Sequence, residues 1–396
     1  MAKVDCEKVL MKIRWFDSVL VALNMIVAIK IDDKWGFIDL NGRGIVPPRY
    51  DGIFCDIEKG FWQVELDGKW GVIDESGQEI VPPRYNVVSQ FSEGLAGVLL
   101  EYKCGYIDES GREIIPFKYE FGGNFSEGLA AVASENGWGF IDRNGREVIP
   151  LRYNSVCKFS EGLAAVESED KWGFIDKSGR MVIEYLYDEV RAFSEGLGPV
   201  ELDGKWGYID NEGREVVKPR YQYASGFDKR VGWAAIKMDG KWGFIAKRGQ
   251  EVEEIVPPCY DDIRDRFAED FLGVKAGDKW GFIDIHGREV IPAIYEDTRC
   301  YNEGVAAVKL KGKWGFIDKS GRYVILPVYD GAKFFFDGVA GIKVGDKWGL
   351  IDRSGLEIVP PTYDKIFMLP GLPVAVKLNG KWGLIDNSGK EIKVSF

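Results

Sequence analysis

The heptapeptide DKWGFID stands at residues 33–39, 170–176 and 278–284, and near-copies GKWGYID and GKWGFID stand at 204–210 and 312–318. Aligned on the Trp-Gly dipeptide, the chain reads Trp35-Gly36, Trp70-Gly71, Trp138-Gly139, Trp172-Gly173, Trp206-Gly207, Trp242-Gly243, Trp280-Gly281, Trp314-Gly315, Trp348-Gly349 and Trp382-Gly383. Cys104 takes the tryptophan place in an eleventh unit, and most units are 34 residues apart. Repetition at a fixed period overrides the two or three domains that 396 residues would otherwise suggest.

A 34-residue period is also the length of helical tetratricopeptide units. Here glycine or proline interrupts every few residues, and the apolar positions lack a helical recurrence. Short segments such as LAAVES, KWGFID and EVIPLRY are β-branched, aromatic and bounded by turn signals, so they predict strands. Asp-Gly or Asn-Gly at 67–68, 203–204, 239–240 and 379–380 suits a type I′ hairpin, whose two central residues need positive φ. The next connection reads Asp-x-(Ser/Asn)-Gly-Arg, as in Asp176 to Arg180, where Asp accepts backbone N–H bonds and Gly closes the turn. Ala246 is the exception at the Asp position. Each unit is thus expected to be a three-stranded antiparallel meander ending at a proline-rich edge.

Along KWGFID, Trp and Phe face one side while Gly and Ile face the other. Neither side is polar, so each meander is expected to be covered on both faces by its neighbours. The expected packing sets the indole of one unit over the bare glycine of the next. The expected fold class is all-β, about eleven such meanders stacked as an open solenoid or superhelix. Chain and repeats start and stop in phase, which leaves no strand to close a ring; a β-propeller-like closed ring is the alternative. Residues 25–396 form the array, with irregular units around 226–278. Residues 1–24 are expected to be an N-terminal cap, with Val9, Ile13, Phe16, Leu20 and Leu23 at helical spacing, or else a degenerate extra strand.

The Trp-Gly dipeptide in the setting G-K-W-G-(F/Y/L)-I-D-x-x-G-x-E-(I/V)-(I/V)-P resembles the bacterial WG-repeat, or KWG-repeat, family. The resemblance covers residues 25–396 and implies a bacterial β-rich repeat protein without settled catalytic residues.

Composition narrows function further. The net charge of −11 is spread along the chain with no evident basic stripe in the sequence, which argues against nucleic acid as partner. The six cysteines lack paired spacing, and the only histidine, His286, replaces a turn residue, so no cofactor or metal is expected. No apolar run reaches the ~20 residues of a spanning helix. VLVALNMIVAI at 19–29 is read as structure rather than a signal core, so the expected location is cytoplasmic, with a secreted or surface form as alternative.

No catalytic residues are identified. One repeat position collects carboxylates: Glu93, Glu127, Glu161, Glu195, Glu269, Glu303 and Asp337. These are a candidate acidic binding ladder, set against the plainer reading of solvated turn residues. An arginine row (Arg112, Arg146, Arg180, Arg214, Arg288, Arg322) and a tyrosine at each third-strand end complete the recurring features. The expected function is a non-catalytic scaffold presenting an extended surface to a protein partner. The alternative is a glycan or cell-envelope binding array, because GKW hairpins with aromatic pairs look like choline-binding cell-wall repeats.

Overall fold

The structure, a computed structural model, describes residues 18–21, 26–56, 60–249, 251–264 and 267–396. Among these residues every sheet is antiparallel and consecutive in the chain; ten sheets have four strands and one has three. Each sheet is one repeat, here called a blade and numbered along the chain. The fifth shows the pattern: Ser155–Val156, Leu163–Ser168, Lys171–Asp176 and Met181–Tyr187.

The meander expected from sequence is therefore short by one strand. Its missing member is the two-residue segment just after the tyrosine, where Ser155 and Val156 pair with Glu167 and Val166. Two residues carry no readable period, so alternation gave no sign of them. One residue after leaving one blade, the chain starts the next.

The hairpins follow their turn chemistry. Leu202 pairs with Lys205 across Asp203 (φ 52) and Gly204 (φ 72), the two-residue type I′ loop. Glu169 and Asp170 take the same left-handed pair at φ 51 and 59 without a glycine. In the second turn, Asp176 Oδ1 accepts from Ser178 N at 2.9 Å, Ser178 Oγ at 2.5 Å and Arg180 N at 3.1 Å. The Ser178 hydroxyl leads the bonds that hold the Asp176 carboxyl down at about 2, against the opposing effect of burial.

The fourth strand is bulged. Trp172 pairs with Tyr187 and Phe174 with Ile183, so two residues on one strand oppose four on the other. Proline sits inside this strand in most blades rather than ending it, on an outer edge where its missing N–H costs no ladder bond.

By contacts the chain forms two units, residues 84–263 and residues 1–83 with 264–396. In the first, blades pack face to face: Phe140 and Tyr153 of the fourth blade share a core with Phe159, Val166 and Ile175 of the fifth. Phe140 meets Phe159 edge-on at 4.8 Å between ring centres. The Phe side of one blade thus lies on the Ile side of the next, which explains why neither face is polar.

In the second unit, the same contact joins the two ends of the chain. Leu372, Ala375, Leu384 and Val394 of the last blade share a core with Val27, Ile29 and Ile38 of the first. Leu384 and Ile38 occupy the repeat positions of Phe140 and Ile175. Gly44 N donates to Ser395 O at 2.6 Å and Ser395 N to Gly42 O at 2.9 Å. An open stack would leave two bare end faces. Here the end faces cover each other, so the array is a β-propeller and the expected open solenoid or superhelix is wrong. Closure needs no exchanged strand: the ordinary blade-to-blade contact is used once more.

Of the N-terminal region, Ser18–Val21 is a strand paired with Ile26–Ile31. Residues 1–17 and 22–24 of the expected cap lie outside the described residues. In the irregular region, the extra residues lengthen a hairpin, Lys241–Arg248 with Glu251–Tyr260.

Candidate functional site

The Trp-Gly pair comes first because it recurs in every blade but one. The glycine answers a need inside its own sheet. A Cβ on Gly173 would lie 2.5 Å from Ile183 O, and one on Gly139 would lie 2.5 Å from Ile149 O. On Gly36 it would lie 2.6 Å from Pro48 N. The bulged fourth strand crosses directly over the glycine, where the sequence reading had placed a neighbour's indole. The indoles sit off the main core. Trp206, Trp280 and Trp314 are buried, while Trp35, Trp70, Trp138, Trp172, Trp242, Trp348 and Trp382 are half-buried. The deep core is built instead by residues two and three places on, such as Phe174 and Ile175.

Cations lie over several of these rings. Arg191 stands 4.6 Å from the Trp206 ring, Arg264 3.9 Å from Trp280, Arg299 5.4 Å from Trp314 and Lys333 5.3 Å from Trp348. Such contacts are worth about 0.5–2 kcal/mol depending on desolvation.

The acidic repeat position forms a clasp between successive blades. Glu161 accepts from Glu195 N and Gly196 N, both at 2.8 Å. Gly128 N donates to Glu93 at 2.9 Å and Gly162 N to Glu127 at 3.0 Å. In the other unit, Gly304 N donates to Glu269 at 2.9 Å, Gly338 N to Glu303 at 3.1 Å and Gly371 N to Asp337 at 2.6 Å. The acidic residues take positive φ, 54° at Glu161, which turns each backbone into the clasp. A cation from the following blade's Asp-x-Ser-Gly-Arg turn often closes it: Lys177 on Glu127 at 3.0 Å, Lys319 on Glu269 at 3.2 Å, Arg353 on Glu303 at 2.9 Å. Glu195 differs, since Lys247 binds its carbonyl oxygen at 2.6 Å and the next blade carries the Lys229 insertion.

The serine before four of the seven acids is a structural residue that sequence reading missed. Ser92, Ser126, Ser160 and Ser194 donate to Phe125, Phe159, Phe193 and Phe227 carbonyls of the next blade at 2.7–2.9 Å. Its recurrence beside the acid was the available signal.

Burial opposes the charge on Glu127 and Glu303. The Lys177 and Arg353 contacts and the glycine N–H bonds outweigh it and hold both carboxyls below their ordinary value. A lowered folded-state pKa means stability that is present above the unfolded value, about 4.3, and lost as pH falls through the folded value. The melting temperature is therefore expected to be flat above about pH 5 and to fall below about pH 4. Glu127→Gln with Glu303→Gln should lower the plateau and make that fall shallower. An unchanged acid limb in the double variant would contradict the clasp.

Other recurring residues have local partners. Arg112, Arg180, Arg214 and Arg288 pair with Asp108, Asp176, Asp210 and Asp284 four residues before, mostly exposed and individually weak. The tyrosine row is packing: Tyr50, Tyr85, Tyr153 and Tyr221 are all buried. His286 N donates to Asp284 Oδ1 at 2.9 Å within its turn. Burial pushes the Cys104 thiol up to about 11 and raises that of Cys157, which leaves both poor nucleophiles. Among the described residues no three His, Cys, Asp or Glu side chains are placed to hold a metal. A cleft of about 750 Å³ lies between the sixth and seventh blades beside Asn211, Arg214, Lys247 and Glu251.

Blades, clasps and half-buried indoles together define an all-β repeat scaffold. The WG containing repeat profile matches residues 35–70, 70–104, 105–137, 138–172, 172–206, 206–242, 253–280, 280–314, 314–348 and 348–382, and the chain belongs to that family. No curated protein matches the sequence. Among solved structures, a eukaryotic initiation factor is similar at 11% identity over 84% of this chain and 95% of its own, with a TM-score of 0.43. Apo AztD from Citrobacter koseri is similar at 12% identity over 70% of this chain and 93% of its own, with a TM-score of 0.34. Scores at that level carry no argument about function.

Proposed function

We propose that the protein is a glycan or cell-envelope binding array, with the Trp-Gly positions as its contact surface. The observation that carries this reading is the half-burial of seven of the ten repeat indoles. Full burial would have removed them from any ligand, and half-exposed indoles are the side chains that stack on sugar rings and quaternary ammonium groups. The test is tryptophan emission with acrylamide quenching, recorded with and without soluble peptidoglycan fragments and choline. Protection of the indoles or a shift in emission supports the reading. Blue-shifted, quencher-resistant emission that neither probe moves contradicts it.

A protein partner is the second reading, favoured by a different surface. The outer strand of the ninth blade exposes Tyr323, Val324, Leu326 and Val328 at 38%, 41%, 64% and 57%. Exposed apolar edge strands are templates for an added strand. Cell fractionation separates the two readings, because the protein-partner reading goes with a cytoplasmic chain and the glycan reading with one that reaches the envelope. Among the described residues no helix is long and apolar enough to cross a membrane.

A further inference from the structure

In an acidic chain of pI about 5.0, one face of the unit formed by residues 1–83 and 264–396 gathers positive charge. Two repeat positions supply it. Lys275, Lys309, Lys343 and Lys377 stand directly across the hairpin from Trp280, Trp314, Trp348 and Trp382. At the same position the third to sixth blades carry Leu99, Ala133, Glu167 and Glu201. Beside the lysines, Arg264 and Arg299 each donate a backbone N–H to the second strand of their blade, as Ser89, Gly123, Cys157, Arg191 and Ser225 do elsewhere, so the third to seventh blades carry one cation at this position. Lys333 continues the row on the tenth blade. Blades that carry Ser, Gly, Cys, Leu or Ala at these positions fold in the same way, so the fold does not demand the cations.

The row is only partly neutralised, and Lys343 has Asp346 at 3.4 Å on its own hairpin. Arg264 pairs with Asp297 of the next blade. The residue in Asp297's place is Gly331 one blade on and Lys365 two blades on. Among the described residues no carboxylate lies within ion-pair distance of Arg299 or Lys333. Burial is the main cause that lowers the pKa of both; the Arg299 charge adds to it at Lys333, while at Arg299 the Asp297 carboxylate opposes it and the Arg264 charge adds to it. Next to them Trp348 and Trp382 are half-buried and Phe367 is 39% exposed. Lys333 lies over the Trp348 ring and Lys377 over the Trp382 ring at 5.3 and 5.6 Å, and cations beside partly exposed aromatic rings fit a ligand that offers both a carboxylate and a flat apolar ring face.

We infer that Arg299, Lys333, Lys343 and Lys377, with Trp348 and Trp382, form a binding surface for an acidic glycan bearing uronate carboxylates. Asp297 on Arg264 shows the contact that such a carboxylate would make at the next blade, where Gly331 leaves the cation without one. This inference rests on the glycan reading above and names its ligand class.

The test is titration calorimetry of the full chain with oligogalacturonate, with chitohexaose as neutral glycan and poly-L-glutamate as acidic polypeptide. The comparison variant is Arg299→Ser with Lys333→Ser, since serine stands naturally at that position in the third and seventh blades. Oligogalacturonate should bind, weaken with salt, and lose at least tenfold in affinity in the variant, while the variant still unfolds in one cooperative transition, at a somewhat lower temperature because the Arg299 and Lys333 ring contacts are lost. Binding of chitohexaose alone, unaffected by the variant, overturns this inference and leaves the glycan reading standing. Binding of neither glycan overturns both. Poly-L-glutamate binding as tightly as oligogalacturonate overturns the glycan assignment in favour of an acidic protein segment.

Discussion

Gly173→Ala is expected to destabilise the protein by about 3 kcal/mol, more than Trp172→Ala at the adjacent position. The reason lies in what each residue touches. A methyl group on Gly173 would meet the Ile183 carbonyl oxygen at 2.5 Å, a backbone atom of the bulge that cannot rotate away. Relief requires the fourth strand to lift, which breaks its pairing and uncovers the Phe174 face. Removing the half-buried Trp172 indole loses part of a side chain's burial, about 2 kcal/mol against about 3–5 for a fully buried one. Denaturant unfolding of the two variants checks the order. A Gly173→Ala protein as stable as the native chain would show that the strand does not cross where the structure puts it.

Removal of Glu391–Phe396 is the second large effect. It deletes Val394 from the core shared by the first and last blades and removes the hydrogen bonds between Ser395 and Gly42 and Gly44. Burial of a valine contributes about 1.5–3 kcal/mol and each of the two neutral hydrogen bonds about 1 kcal/mol, so the loss is about 4 kcal/mol. The consequence is not confined to the last blade. Val27, Ile29 and Ile38 lose their cover, so the truncated protein should bind a hydrophobic dye and be cut early in its first blade. In an open stack the same six residues would be a frayed end, and their loss would change little.

Much of the blade was readable from residues alone, because the features concerned are local. Turn dipeptides set the hairpins at 203–204, the Asp176 turn closed as its sequence required, and alternation along KWGFID showed two apolar faces. What escaped was either too short or too distant. Ser155–Val156 is two residues long and has no pattern. Closure depends on whether Leu384 meets Ile38 after many small rotations between blades, and no single blade's sequence encodes the sum. The expectation that closing a ring needs a leftover strand led to the wrong architecture.

The site was readable in part. The acidic position was visible as a row at 34-residue spacing, but its geometry is not: Glu161 turns its carboxylate onto the next blade's N–H groups. The role of the glycine was misplaced for a similar reason, since the bulge over Gly173 is a register shift that alternation cannot reveal. The positive face had the opposite problem. Lys309, Lys343 and Lys377 look ordinary singly, and the net charge of −11 hides them until blades are laid side by side.

Closure sets Arg43 opposite Ser395 in a parallel bridge between the first and last blades. The direct measurement is oxidation of the Arg43→Cys, Ser395→Cys protein at low concentration, followed by peptide mapping of the monomer. A 43–395 disulfide within one molecule is the result that a closed array gives. Monomer without that link, or the link only between molecules, would show that the two ends do not meet.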